Sequence, residues 1–189
     1  MNLTKPAQAT ELRRLSQCCA DTEVIERDSF EREAMASELS GYLELEADDD
    51  LAREVGYYVL RKMERCAFED LSHAEQVLAC LTEVEMEVNN GGFDQYYWNS
   101  PGDHADDAVT ALRELGAAHT AGLVAQANAV FGPHGPDPDR ERRWKQIDGL
   151  AESDRGKWGV LDGAFFEYQD NLSQMAAAFI RKNRLGFTD

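Results

Sequence analysis

Three patterns in the sequence hold residue types that can do chemistry. Asp103-His104-x-Asp106-Asp107 sets an imidazole among three carboxylates, a donor set for a hard divalent cation and the minimum for a metal-dependent hydrolase. It lacks the regular spacing and central glycine of a calcium loop, and the chain has no His-x-x-x-His or Glu-x-x-His to complete it. One histidine beside three aspartates at a helix start reads as N-capping instead. Cys66 and Cys80 fall within helical patterns, and His73, His104, His119 and His134 are scattered with no nucleophile elbow or oxyanion motif. Asn89-Asn90-Gly91-Gly92 lacks the lysine and the strand-then-helix setting of a phosphate loop. These patterns predict a protein that is not an enzyme, with no catalytic residue, no metal and no cofactor.

The third pattern is the run from Asn89 to Asn99, where amides alternate with aromatics. Phe93, Tyr96 and Tyr97 follow helical spacing and belong in a core. Asn89, Asn90, Gln95 and Asn99 stand beside that core, and buried amides must be hydrogen-bonded. Two readings are open. The amides tie helix ends together around Gly91 and Gly92, or they line a small polar pocket for a peptide or ligand.

The elements that position these residues are helices. Asp48-Asp49-Asp50 places three carboxylates at a helix start, where they complement its partial positive charge; Leu51, Val55, Tyr58, Val59 and Met63 follow as an apolar stripe. Ser72-x-x-Glu75 is a capping box ahead of Val77, Leu78, Leu81, Val84 and Val88; this helix is expected to end at Asn89-Asn90 with Gly91 left-handed. Asp103 or Asp106 is expected to cap a helix stopped by Gly116, and a further helix spans 117–131. Gly132–Arg140 is a proline- and glycine-rich loop. Helices around Trp144 and Ile147 and around Trp158 to Phe166 follow, and Asp170 or Asn171 opens a last one ending in Arg181, Lys182 and Arg184. Nothing alternates like a strand. The fold class is all-α: one helical domain of about seven or eight helices over residues 28–189, with a polar, weakly helical arm over 1–27 and a capping box at Asp28-x-x-Glu31.

Charge bounds the partner more tightly than it bounds any reaction. The net charge is −17 over 189 residues, and residues 1–110 hold 25 of the 36 carboxylates against 9 of the 19 bases. Between Arg65 and Arg113 there is no base at all, while Glu69, Asp70, Glu75, Glu83, Glu85, Glu87, Asp94, Asp103, Asp106 and Asp107 fall in that window. Solubility of a small domain asks for a net charge of only about 2–8. A field of this sign repels nucleic acid and anionic membrane and attracts basic surfaces. No apolar run approaches a membrane span, and Cys18, Cys19, Cys66 and Cys80 form no Cys-x-x-Cys pair, so a soluble, reduced, cytoplasmic protein is expected.

VNNGGFDQYYWNSPGD (Val88–Asp103), ALRELGA (Ala111–Ala117) and LDGAFFEYQDNLSQMAAAFIRKN (Leu161–Asn183) resemble a bacterial all-α domain family that includes a DNA-mimic protein binding a helix-turn-helix transcription factor. The similarity spans about Leu51 to Phe187. It implies the helical fold and a partner that is a basic or nucleic-acid-binding protein, such as a helix-turn-helix regulator; a homodimer is an alternative assembly. A duplex strand sets a phosphate about every 3.4 Å, and carboxylates at i and i+4 on a helix lie about 6 Å apart. Glu83/Glu87 and Asp103/Asp107 have that spacing. The expected partner-binding face is therefore Asp48, Asp49, Asp50, Glu54, Glu69, Asp70, Glu75, Glu83, Glu87, Asp103, Asp106 and Asp107. The alternative site is the amide motif Asn89, Asn90, Gly91, Gly92, Phe93, Gln95 and Asn99.

Overall fold

The computed structural model describes residues 35–188. The expected arm over 1–27 and the Asp28–Glu31 capping box lie outside the described residues. The chain divides into two compact units, with the division at Gly41; residues 35–41 of the first are helical, and the second runs from Tyr42 to Thr188. Among the described residues there is no strand, and no helix is long and apolar enough to cross a membrane.

The second unit contains α1 (Asp48–Met63), α2 (His73–Trp98), α3 (Ala105–Leu115), α4 (Ala118–Ala129), α5 (Arg140–Asp148), α6 (Glu152–Phe165) and α7 (Leu172–Lys182), with 3-10 turns at Phe68–Asp70, Ser100–His104 and Arg184–Gly186. The helix starts follow local chemistry. Asp48, Asp49 and Asp50 fill the first turn of α1, and Ser72 and Glu75 close the expected capping box on α2. Asn171, not Asp170, caps α7, accepting from the Gln174 N–H at 3.1 Å. Asp170 instead accepts from the Thr120 N–H at 2.8 Å, holding the start of α4. Gly116 ends α3 at φ 87°, as its position predicts.

Helix α2 is the axis of the unit. It packs against α1, α3, α5 and α6, while α1 lies along α7, α3 along α4, and α4 along α6. Leu51, Val55, Tyr58 and Val59 of α1 and Leu172, Ala176, Phe179 and Ile180 of α7 are buried as their spacing implies. Each buried Val, Leu, Ile or Phe among them contributes roughly 1.5–3 kcal/mol. At the far end of α2 the aromatics assemble. Tyr97 stacks on Trp158 at 5.0 Å and meets Phe131 edge-on, while Trp98 stacks on Trp144 at 5.1 Å on the surface.

The end expected at Asn89-Asn90 is a break rather than an end. Helical geometry is interrupted at Gly91 (φ −159°, ψ 21°) and Gly92 (φ 73°, ψ −175°), then resumes through Trp98. Gly92, not Gly91, takes the left-handed φ. The second half starts with a donor that has no helical acceptor, and Asp162 of α6 supplies one: its Oδ1 accepts from the Phe93 N–H at 2.8 Å. A Cβ on Gly92 would overlap that carboxylate.

Candidate functional site

The amide motif divides at the break. Glu87, in the first half of α2, accepts from Gln95 Nε2 at 2.7 Å and from Asn99 Nδ2 at 2.9 Å. Gln95 and Asn99 are thus spent holding the two halves of α2 together. Phe93 is core, packed edge-on against Phe165. Asn89 turns the other way and donates to the Tyr168 hydroxyl at 2.5 Å; that hydroxyl donates to Glu85 at 3.1 Å. Asn89 and Asn90 line a surface groove, and Gln95 and Asn99 do not. The break parts the four amides, with Asn89 and Asn90 on the groove and Gln95 and Asn99 on Glu87.

Neither Asp103 nor Asp106 caps α3, whose N-cap residue is His104 with no side-chain cap bond. Asp103 is engaged by Arg143, a residue that no motif in the sequence marks. Arg143 is fully buried on α5 and places every donor of its guanidinium. Nε donates to Tyr97 O (2.7 Å), Nη1 to Asp137 O (2.8 Å) and Pro138 O (3.2 Å), and Nη2 to Asn99 O (2.9 Å) and Asp103 Oδ1 (2.6 Å). The only hint in the sequence is phase, since Arg143 sits one turn before buried Ile147. Asp106 accepts from Asn128 Nδ2 at 3.2 Å, and Asn128 in turn accepts from the buried Tyr97 hydroxyl at 2.6 Å. His104 stacks on Phe68 with ring centroids 3.9 Å apart, and its Nδ1 lies 3.8 Å from Asp107. Arg143 and Asn128 thus engage Asp103 and Asp106, while His104 and Asp107 stay beside each other. Among the described residues no group of three or more His, Cys, Asp or Glu is arranged to hold a metal ion.

The twelve carboxylates expected on one face do not share one. Glu75, Glu83 and Glu87 are buried, because α2 is surrounded on nearly all sides. Glu75 pairs with Lys62 at 2.8 Å and closes the capping box, so it adds nothing to a surface. The others form two groups. Asp48, Asp49, Asp50 and Glu54 start α1, where Asp48 meets Arg181 at 2.6 Å and Arg53 binds Asp50 and Glu54. Glu69, Asp70, Asp103, Asp106 and Asp107 form the second group, with the Phe68–His104 stack joining the turn that carries Glu69 and Asp70 to the start of α3. Glu83 and Glu87 lie beneath this second group, since Glu83 feels Asp103, and Cys80 feels both Glu83 and Asp107. The first group reaches the other side of α2, where Asp49 acts on Glu85, two residues and about 200° around the helix from Glu83.

Burial pushes the Glu83 carboxyl up to about 7, with Glu87 and Asp103 adding repulsion. Between its ordinary value of 4.5 and about 7, the unfolded chain ionises while folded Glu83 keeps its proton, so stability is lost as pH rises through that window. Glu83→Gln removes this cost. Urea titrations are expected to show the variant more stable than the parent by on the order of 2 kcal/mol at pH 8, with the gap closing towards pH 4.5. A gap independent of pH would place Glu83 in an ordinary environment.

The sequence pattern of the DMP19-like protein family matches residues 69–183, from the Phe68–Asp70 turn through the end of α7. The chain belongs to the DMP19-like family. No curated protein and no solved structure matches the chain. The family region contains α2 with its break, Arg143 and the second acidic group; α1 and the first acidic group lie before it.

Proposed function

We propose that this chain is an acidic protein-interaction module of the DNA-mimic kind, which occupies the basic nucleic-acid-binding surface of another protein, such as a helix-turn-helix regulator. The observation that carries this reading is the second acidic group. Glu69, Asp70, Asp106 and Asp107 are exposed, and they come from two segments locked side by side by the Phe68–His104 stack. Arg143, which reaches this group from below, is buried beneath Asp103 and shows no charge to a partner. Rows of carboxylates held on short rigid elements suit a surface built to meet phosphate-binding lysines and arginines. Membership of a family that includes a DNA mimic supports the same assignment.

The test is capture on immobilised protein at about 50 mM salt, followed by competition with duplex DNA. The expected result is recovery of a DNA-binding protein that both duplex DNA and raised salt release. Glu69→Gln with Asp107→Asn, both at exposed positions, is expected to weaken that capture roughly fivefold while leaving the melting temperature within a few degrees, because each exposed charge contributes modestly. Capture that duplex DNA does not displace sinks the proposal.

A further inference from the structure

A groove of about 560 Å³ lies where α1, α2 and α7 converge. Its floor is apolar, with Leu78 and Leu81 of α2 and Ala176 of α7. Its two walls carry Tyr57 of α1, 44% exposed, and Met86 of α2, 42% exposed. An aromatic ring and a flexible thioether left open across an apolar floor are the side chains of adaptable recognition surfaces. In a chain this acidic, they mark a place where something apolar docks.

The charges around the groove decide what that is. Among its lining residues the carboxylates are Asp49 and Glu85, and the single base, Arg53, is already held by Asp50 at 2.7 Å and Glu54 at 3.1 Å. The end of the first half of α2, at Asn89 and Asn90, and the starts of α1 and α7, at Asp49 and at Leu172 and Ser173, all line the groove, so opposed helix ends meet there and the two carboxylates set its sign. Tyr168 fixes the α2 end by accepting from Asn89 and donating to Glu85. A partner must therefore bring apolar side chains for Tyr57 and Met86 and a cation for the Asp49–Glu85–Asn90 end.

We infer that the groove receives an amphipathic basic helix of a protein partner, with apolar residues seated between Tyr57 and Met86 and a lysine or arginine at the end formed by Asp49, Glu85 and Asn90. The groove stands on the face of α2 opposite Glu83 and Glu87 and is separate from the Glu69–Asp107 group. It is a second surface, and it does not depend on the function proposed for the first.

The test uses the full chain and a fluorescein-labelled model peptide of about 16 residues, leucines at i, i+3, i+4 and i+7 on a lysine background, read by anisotropy. A scrambled peptide of the same composition controls for general attraction to an acidic protein. The patterned peptide is expected to bind at least about tenfold tighter than the scrambled one. Met86→Glu adds negative charge yet is expected to abolish that preference, because it spoils the apolar wall. Tyr57→Ser is expected to do the same from the opposite wall, and decides the matter where Met86→Glu lowers the melting temperature. Glu69→Gln with Asp107→Asn is expected to keep the preference, so failure here and failure of the acidic-surface function are told apart. Equal binding of the two peptides, or a full preference in both groove variants, overturns the inference.

Discussion

Replacing Arg143 with methionine is expected to destabilise the protein by about 3–5 kcal/mol, the range for breaking a buried ion pair from one side. The size follows from the geometry. Methionine fills the space of the side-chain stem, but it leaves the carbonyls of Tyr97, Asn99, Asp137 and Pro138 and the carboxylate of Asp103 without the donors that now satisfy them. Unmade hydrogen bonds at buried acceptors cost more than made ones contribute. Arg143→Lys is expected to recover little, since one ammonium cannot reach five acceptors spread around a planar fork. Asp103→Asn should cost far less, because that carboxylate is about one-third exposed and can turn to water. Urea denaturation of the three variants gives the order directly; a cost for Arg143→Met no greater than for Asp103→Asn would mean the guanidinium is not the joint between α5 and the end of α2.

Gly92→Ala is expected to be the second severe change, costing about 3 kcal/mol or more. Two independent penalties add. At φ 73° and ψ −175° the backbone occupies a region that side chains avoid, and the new methyl would overlap the Asp162 carboxylate that caps the second half of α2. Gly91→Ala, one residue earlier, is the matched control. Its φ of −159° lies outside the left-handed region, and the new methyl would meet the Gln95 side chain as far in as its Cβ at 2.9 Å, at the expense of the Gln95–Glu87 bond. The expected cost there is about 1–2 kcal/mol, smaller than at Gly92 because no positive φ adds to the overlap. Thermal melts of the pair settle which glycine makes the break, and equal losses would remove Asp162 from the explanation.

The contrast between these glycines shows where the sequence was readable. Helices α1 and α7 are visible in the spacing of Leu51, Val55 and Val59 and of Leu172, Ala176 and Ile180, because one apolar stripe faces one core. The Ser72–Glu75 box is visible because its partners are three residues apart. The break is half visible. Two adjacent glycines announce it, but the residue that selects Gly92 is Asp162, 69 positions on, and no local pattern contains it. The burial of Glu75, Glu83 and Glu87 escaped for a related reason. Ala74, Ala79 and Cys80 are small and near-neutral, so they hide how far the buried arc of α2 extends beyond its Val and Leu stripe. The base-free window was a true feature of the sequence with a misleading consequence, since Lys62, Arg143 and Arg155 enter it from other elements to meet Glu75, Asp103 and Asp94.

The aromatic end of the molecule has a practical consequence. All three tryptophans of the chain, Trp98, Trp144 and Trp158, lie where the second half of α2 meets α5 and α6. Tryptophan emission, excited apart from the tyrosines, therefore watches the second half of α2 and its neighbours, while far-ultraviolet ellipticity reports on every helix. Followed together through denaturant, the two signals test whether the Gly91–Gly92 joint is also a seam in folding. Coincident transitions would make the broken helix one cooperative body, and an earlier emission change would show its tryptophan-bearing half letting go first.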